Sequence, residues 1–246
     1  MKISTWNLQG NGYNNMCSAV AEAKCRMINE NIDVFCLQET GLIVKDDPGE
    51  KLLNCDNFVL FRNQYVGTES RGLKVNLYVL KYGTTNFRCS MAILVKSEYD
   101  LLSPAIIPPY PGTNTREIFG VLLGNRIEDS VAVYNIHAPS GNSAFAKSYF
   151  AYALGEIDQL VNAHEIPNVV LAGDFNNEPI RSLEKMEDVK LIKNYQIVAQ
   201  TDHQKVVPTH NSGGCLDYCC TTLPVRNTTV SRNAAFSDHR QVTFDF

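Results

Sequence analysis

The stretch that decides the fold is Val169-Val170-Leu171-Ala172-Gly173-Asp174-Phe175-Asn176. It begins as a short apolar run of strand length and stops abruptly in Gly-Asp-Phe-Asn. Apolar runs of this length, bounded by turn-forming residues, read as buried strands. The acid is therefore delivered to the end of a rigid element. Gly-Asp before Asn is also ordinary turn chemistry, so one such case proves little.

Working outward, the same device recurs. Lys2–Leu8 reads as a strand carrying Trp6-Asn7, with Gln9 just beyond. Ile32–Gln38 ends in Gln38-Glu39, and Val131–Ile136 ends at His137. Leu216-Asp217-Tyr218 and Ser237-Asp238-His239 complete the set, the latter just before the alternating strand Gln241–Phe246. Further strands are expected at Phe58–Phe61, Val75–Tyr82, Ser90–Val95 and Ile118–Leu123. Met16, Ala19, Val20, Ala23, Met27 and Ile28 recur at helical spacing. A second helix is expected after Asn142-Ser143, with Phe145, Tyr149, Ala153, Ile157 and Leu160 on its buried face and an end at Pro167. Many strands and few helices predict an α+β fold: a two-layer β-sandwich flanked by helices, as one domain over residues 1–246.

Composition narrows the function. The chain has 246 residues, enough to bury a core without staples. No stretch approaches 18 consecutive apolar residues, which argues against a membrane-spanning helix. With 22 Lys+Arg against 26 Asp+Glu, the net charge is −4, less basic than a protein holding duplex DNA chiefly by charge. That balance suits a metal enzyme, whose carboxylates gather a cation that carries positive charge to a phosphate. Met1-Lys2-Ile3-Ser4-Thr5-Trp6 lacks the features of a secretory leader. The eight cysteines show no zinc-finger spacing. Cys36 reads as a core residue, and Cys215, Cys219 and Cys220 are close enough to permit a disulfide in an exported protein.

Taken in order, WN, QE, GDFN, LDY and a terminal SDH resemble the endonuclease/exonuclease/phosphatase superfamily, whose best-known member is deoxyribonuclease I. Within it, Trp6-Asn7-Leu8-Gln9-Gly10, with Arg88 before Met91–Leu94 and Arg116 before Phe119-Gly120, looks most like the catalytic B subunit of cytolethal distending toxin. The resemblance implies a Mg²⁺-dependent phosphodiesterase acting on DNA, with Mn²⁺ or Ca²⁺ in support. It implies Glu39, Asn7 and Asp238 around the metal, and Asp174 and Asn176 orienting the phosphate and the attacking water. Phe175 would point into the core. His239 would be the general base, held by Asp217, and His137 would act as general acid or bind the scissile phosphate. Arg88, Arg116 and Gln9 would contact substrate. Members of the deoxyribonuclease branch place an acid behind the second histidine, and Glu69 is the nearest candidate here. Having His137 sets the chain apart from the abasic-site nucleases, which resemble the pattern with Asn there.

The same site on a phosphoinositide is the alternative reading. A non-catalytic scaffold would be expected to lack one of Glu39, His137, Asp174 or His239, and all four are present. A toxin would need delivery subunits and would be secreted after removal of a leader; otherwise the cytoplasm is expected.

Overall fold

A computed structural model describes residues 1–10, 22–41, 50–54, 58–66, 74–82, 89–99, 101–232 and 237–246. Two mixed sheets lie face to face. The first has eight strands in the order Asn227–Val230, Val242–Asp245, Lys2–Asn7, Val34–Gln38, Met91–Lys96, Lys74–Tyr82, Phe58–Val66 and Glu50–Asn54. The second has six: Gln196–Val198, Asp217–Thr221, Asn168–Asp174, Val131–His137, Ile118–Leu123 and Leu101–Ile107. Each contains one parallel pair in its interior. Lys2–Asn7 runs beside Val34–Gln38, and Val131–His137 beside Asn168–Asp174.

A parallel pair needs a crossover, usually helical. Residues 22–29 are helical within the first crossover, and the helix Ser143–Ala163 supplies the second. The latter starts where its sequence says: the Asn142 side chain accepts from the backbone of Ala144 and Phe145, satisfying donors that a helix start leaves open. It stops at Ala163, short of Pro167.

Alternation sorts the strands onto three cores. Val170, Ala172 and Cys219 face the opposite sheet with Ile3, Val34, Cys36 and Phe244. Val169, Leu171 and Cys220 face Tyr149, Ala153 and Ile157 of the long helix. Trp6, Phe35 and Leu37 pack on Ala23 and Met27. Because both faces of the central strands are covered, they read as near-continuous apolar runs. Cys215, Cys219 and Cys220 are free thiols, the last two on opposite faces of one strand, so the crowding of cysteines here is packing. No helix among the described residues is long and apolar enough to cross a membrane.

Gly173 is required by this packing. Its φ is +156°, and a Cβ there would lie 2.0 Å from the Ile136 carbonyl oxygen. Only glycine lets the two parallel strands end in register, with Asp174 opposite His137.

Candidate active site

The two parallel pairs end on the same side of the sandwich. In the first sheet Asn7 pairs with Gln38, with Glu39 next; in the second Asp174 pairs with His137. A buried polar pin holds the sheets together beneath these ends. Gln38 Nε2 donates to Thr5 Oγ1 (2.9 Å) and to Asn135 Oδ1 (2.7 Å), and Asn135 Nδ2 donates to the carbonyls of Leu37 and Ala92. Above it Asn7 Nδ2 donates to Asp174 Oδ2 across the sheets at 2.9 Å.

The Ser237–His239 segment is tied to the first strand. Ser237 Oγ donates to the Asn7 carbonyl at 2.6 Å, and the Trp6 indole N–H donates to the His239 carbonyl at 3.0 Å. Trp6 is thus core filler and tether together. Gln9 bridges the same segments: its backbone N–H donates to Asn7 Oδ1, and its side-chain oxygen accepts from Asp238 N at 3.3 Å.

Two buried histidines converge on Asp174 Oδ2, each Nε2 lying 3.8 Å away. His137 Nε2 is also 3.4 Å from Glu39 Oε1, and His239 Nε2 is 3.7 Å from Asp238 Oδ1. Their other nitrogens differ. His239 Nδ1 lies 2.8 Å from Asp217 Oδ2, which also accepts from Thr209 Oγ1 at 2.8 Å. Behind His137 Nδ1, at 2.5 Å, is Arg116 Nη1. A guanidinium only donates, so this Nδ1 accepts and the ring proton sits on Nε2. Asn176, at φ +47°, donates its backbone N–H to Asp174 Oδ1 and its Nδ2 to the Ala138 carbonyl and Asp174 Oδ2. The Asp174 turn and the site are therefore one feature. Phe175 turns away and stacks on Tyr218, centroids 4.0 Å apart.

Arg88 and Glu69 lie outside the described residues. Sequence reasoning overlooked Thr209, and also His210, whose Nε2 meets Asp238 Oδ2 at 3.0 Å. Both sit in a loop with no apolar run to flag them.

Electrostatically the site is overloaded with acid. Burial, then the charge of Asp217, raises the Asp174 carboxyl. Burial works against a charged His239, but Asp217, Asp174 and Asp238 outweigh it and the ring is pushed up to about 9. The His239 ring and the hydrogen bonds from Asn7 and Asn176 pull the Asp174 carboxyl back down, but do not offset that rise. Glu39, Asp174 and Asp238 gather around the two histidines, and carboxylate oxygens are the donor type a divalent cation takes.

The chain matches the family model for the endonuclease/exonuclease/phosphatase family over residues 4–239. No curated protein sequence matches it. Similar solved structures include the cytolethal distending toxin of Haemophilus ducreyi, at TM-score 0.73 and 21% identity over 99% of this chain and 97% of that one. That of Actinobacillus actinomycetemcomitans gives the same values. The human nocturnin catalytic domain follows at 0.65 and 18%, covering 99% and 92%.

Proposed function

Because the chain belongs to the endonuclease/exonuclease/phosphatase family, whose members are hydrolases, we propose that it is a Mg²⁺-dependent phosphodiesterase that nicks DNA. The observation that carries this reading is the meeting of Asn7, Glu39, His137, Asp174 and the Asp217–His239 pair at one end of the sandwich.

Glu39, Asp238 and Asn7 would hold the cation, with Asp174 adjacent. A bound Mg²⁺ supplies positive charge to the phosphate oxygens, where attack on an anion is otherwise disfavoured. His239 Nε2 takes the proton from the attacking water as its oxygen bonds to phosphorus and the ester P–O bond breaks, the leaving oxygen departing with the bonding pair and taking a proton from solvent. Asp217 fixes the ring and stabilises the imidazolium that forms. His137 presents Nε2–H to the scissile phosphate. The guanidinium behind it supports phosphate binding over general acid catalysis, and makes Arg116 a positioning residue as much as a substrate contact. Asn176 keeps Asp174 in place. Arg88 and Gln9 are assigned to the substrate side. By its similarity to the toxin structures the chain would serve as the nuclease subunit of a secreted genotoxin and need delivery subunits.

The test is plasmid nicking in Mg²⁺, with and without EDTA, beside phosphate release from phosphatidylinositol trisphosphate. Nicking that EDTA abolishes and His239→Ala removes is expected, with no phosphate release. Undiminished nicking by the variant, or none in Mg²⁺, contradicts the proposal. Phosphate release without nicking would transfer the same site to a phosphoinositide.

A further inference from the structure

The hydrolytic reading leaves His210 without a task, although it completes a second set of ligand atoms. His210 Nε2, an Asp238 carboxylate oxygen and His239 Nε2 all lie within 4.8 Å of one another. We propose that His210, Asp238 and His239 form a Zn²⁺ site whose occupation switches the hydrolase off; the inhibitory half of this proposal rests on His239 being the base.

The set shares Asp238 with the neighbouring oxygen cluster, but its other two donors are imidazoles. Two imidazoles and one carboxylate, with a fourth position open, are a zinc set, whereas Mg²⁺ prefers oxygen and keeps its waters. The spacing fits. Asp238 places Oδ2 at 3.0 Å from His210 Nε2 and Oδ1 at 3.7 Å from His239 Nε2. The carboxylate thus presents one oxygen toward each ring, and donors about 2.0–2.1 Å from a tetrahedral zinc are about 3.3 Å apart, so a small side-chain adjustment brings the three ligand atoms onto one ion. Asp238 Oδ1 is buried and has no hydrogen-bond partner among the described residues. A cation between the rings would satisfy it.

Outer partners are in place as well. Metal-bound histidines are held by a hydrogen bond on the other ring nitrogen. His239 has Asp217 at 2.8 Å, and His210 Nδ1 has Ser212 Oγ at 2.6 Å. Without metal the Ser212 backbone N–H, 3.0 Å away, donates to His210 Nδ1, so the ring proton sits on Nε2 and bonds Asp238. Zinc takes the place of that proton at Nε2; the proton moves to Nδ1, where Ser212 Oγ accepts it and the Ser212 N–H turns off that nitrogen. The rest of the loop is already fixed. His210 and His239 are bridged strand-wise, Asn211 N donates to the Asp238 carbonyl at 2.9 Å, and Arg240 N to the Thr209 carbonyl at 2.7 Å. The side chains of His210 and Asp238 are 21% and 31% exposed, which leaves zinc a way in. Once bound, zinc occupies the Nε2 lone pair with which His239 would take a proton.

The experiment is zinc binding to the full chain in excess Mg²⁺, by competition with a chromophoric zinc chelator. One Zn²⁺ per chain is expected, with affinity falling at least tenfold in His210→Gln. On unmodified protein, zinc should shift the ¹⁵N resonances of two histidine rings. In nicking, each protein is normalised to its own zinc-free rate, and the half-inhibiting zinc concentration should rise at least tenfold in His210→Gln. Unchanged zinc affinity in the variant, or no shift of two histidines, overturns the site. Binding that depends on His210 but leaves nicking untouched overturns the switch. A protein that never nicks in Mg²⁺ refutes the DNA-nicking reading alone, because the binding measurements decide the zinc site by themselves.

Discussion

His137 and His239 stand at equal distance from one carboxylate oxygen, 3.8 Å from Asp174 Oδ2, yet opposite charges stand behind them. Asp217 backs His239, and Arg116 backs His137. An acid on Nδ1 favours a second proton on the ring; a guanidinium there keeps Nδ1 bare. On the proposed function, the same side chain would thereby serve as a proton carrier in one half of the site and as a fixed hydrogen-bond donor in the other. Chemistry is set by what lies behind each ring, not by the ring or its strand end.

The largest effect should come from removing a ring. His239→Gln should lower nicking by about 10³-fold, within the range typical of a lost general base. His137→Gln should fall less, because a Gln amide can still donate to a phosphate. Equal losses for the two, measured as turnover in saturating Mg²⁺, would erase the distinction. Next come the backing residues. Asp217→Asn and Arg116→Gln should each cost on the order of 10–100-fold, but with different signatures. Asp217→Asn should move the pH–rate profile, while Arg116→Gln should act mainly on KM.

The strand ends were legible because polar residues closing apolar runs leave a pattern in one dimension. Asn7, Glu39, His137 and Asp174 all carry it, and the parallel pairing brings them together. Of the backing residues, Asp217 was legible in Leu216-Asp217-Tyr218 and meets His239 as expected; the other supporting contacts leave no such pattern. Thr209 and His210 lie in a loop, and Arg116 precedes its strand, so sequence suggested a phosphate contact but not the His137 bond. Glu69, expected behind His137, lies outside the described residues, and a guanidinium, Arg116, stands at its Nδ1. Among the strands, Leu101–Ile107 escaped notice because Pro104 interrupts it, which an edge strand tolerates. The helix Pro179–Glu187 is too short for periodicity to reveal.

A smaller effect appears in stability. His239 is raised in the folded protein from 6.5 to about 9. A raised histidine stabilises fully below its unfolded value, and that stability is lost as pH rises through the folded one. The raised Asp174 acts in the same direction but at lower pH, between its ordinary 3.8 and about 7, because ionising it in place is unfavourable. Thermal melts in EDTA should therefore fall between about pH 6.5 and pH 9, by about 3 kcal/mol from His239. His239→Gln should flatten that slope, and Mg²⁺ should restore stability at the alkaline end. A slope that survives His239→Gln unchanged would place the titrating group elsewhere.

Histidine ¹⁵N spectra of the whole protein at pH 7.5, in EDTA and then in Mg²⁺, test the asymmetry most directly. His239 should be doubly protonated without metal and lose a proton when Mg²⁺ binds, while His137 keeps its single proton on Nε2 throughout. A proton on Nδ1 of His137, or a His239 ring indifferent to Mg²⁺, would contradict the account.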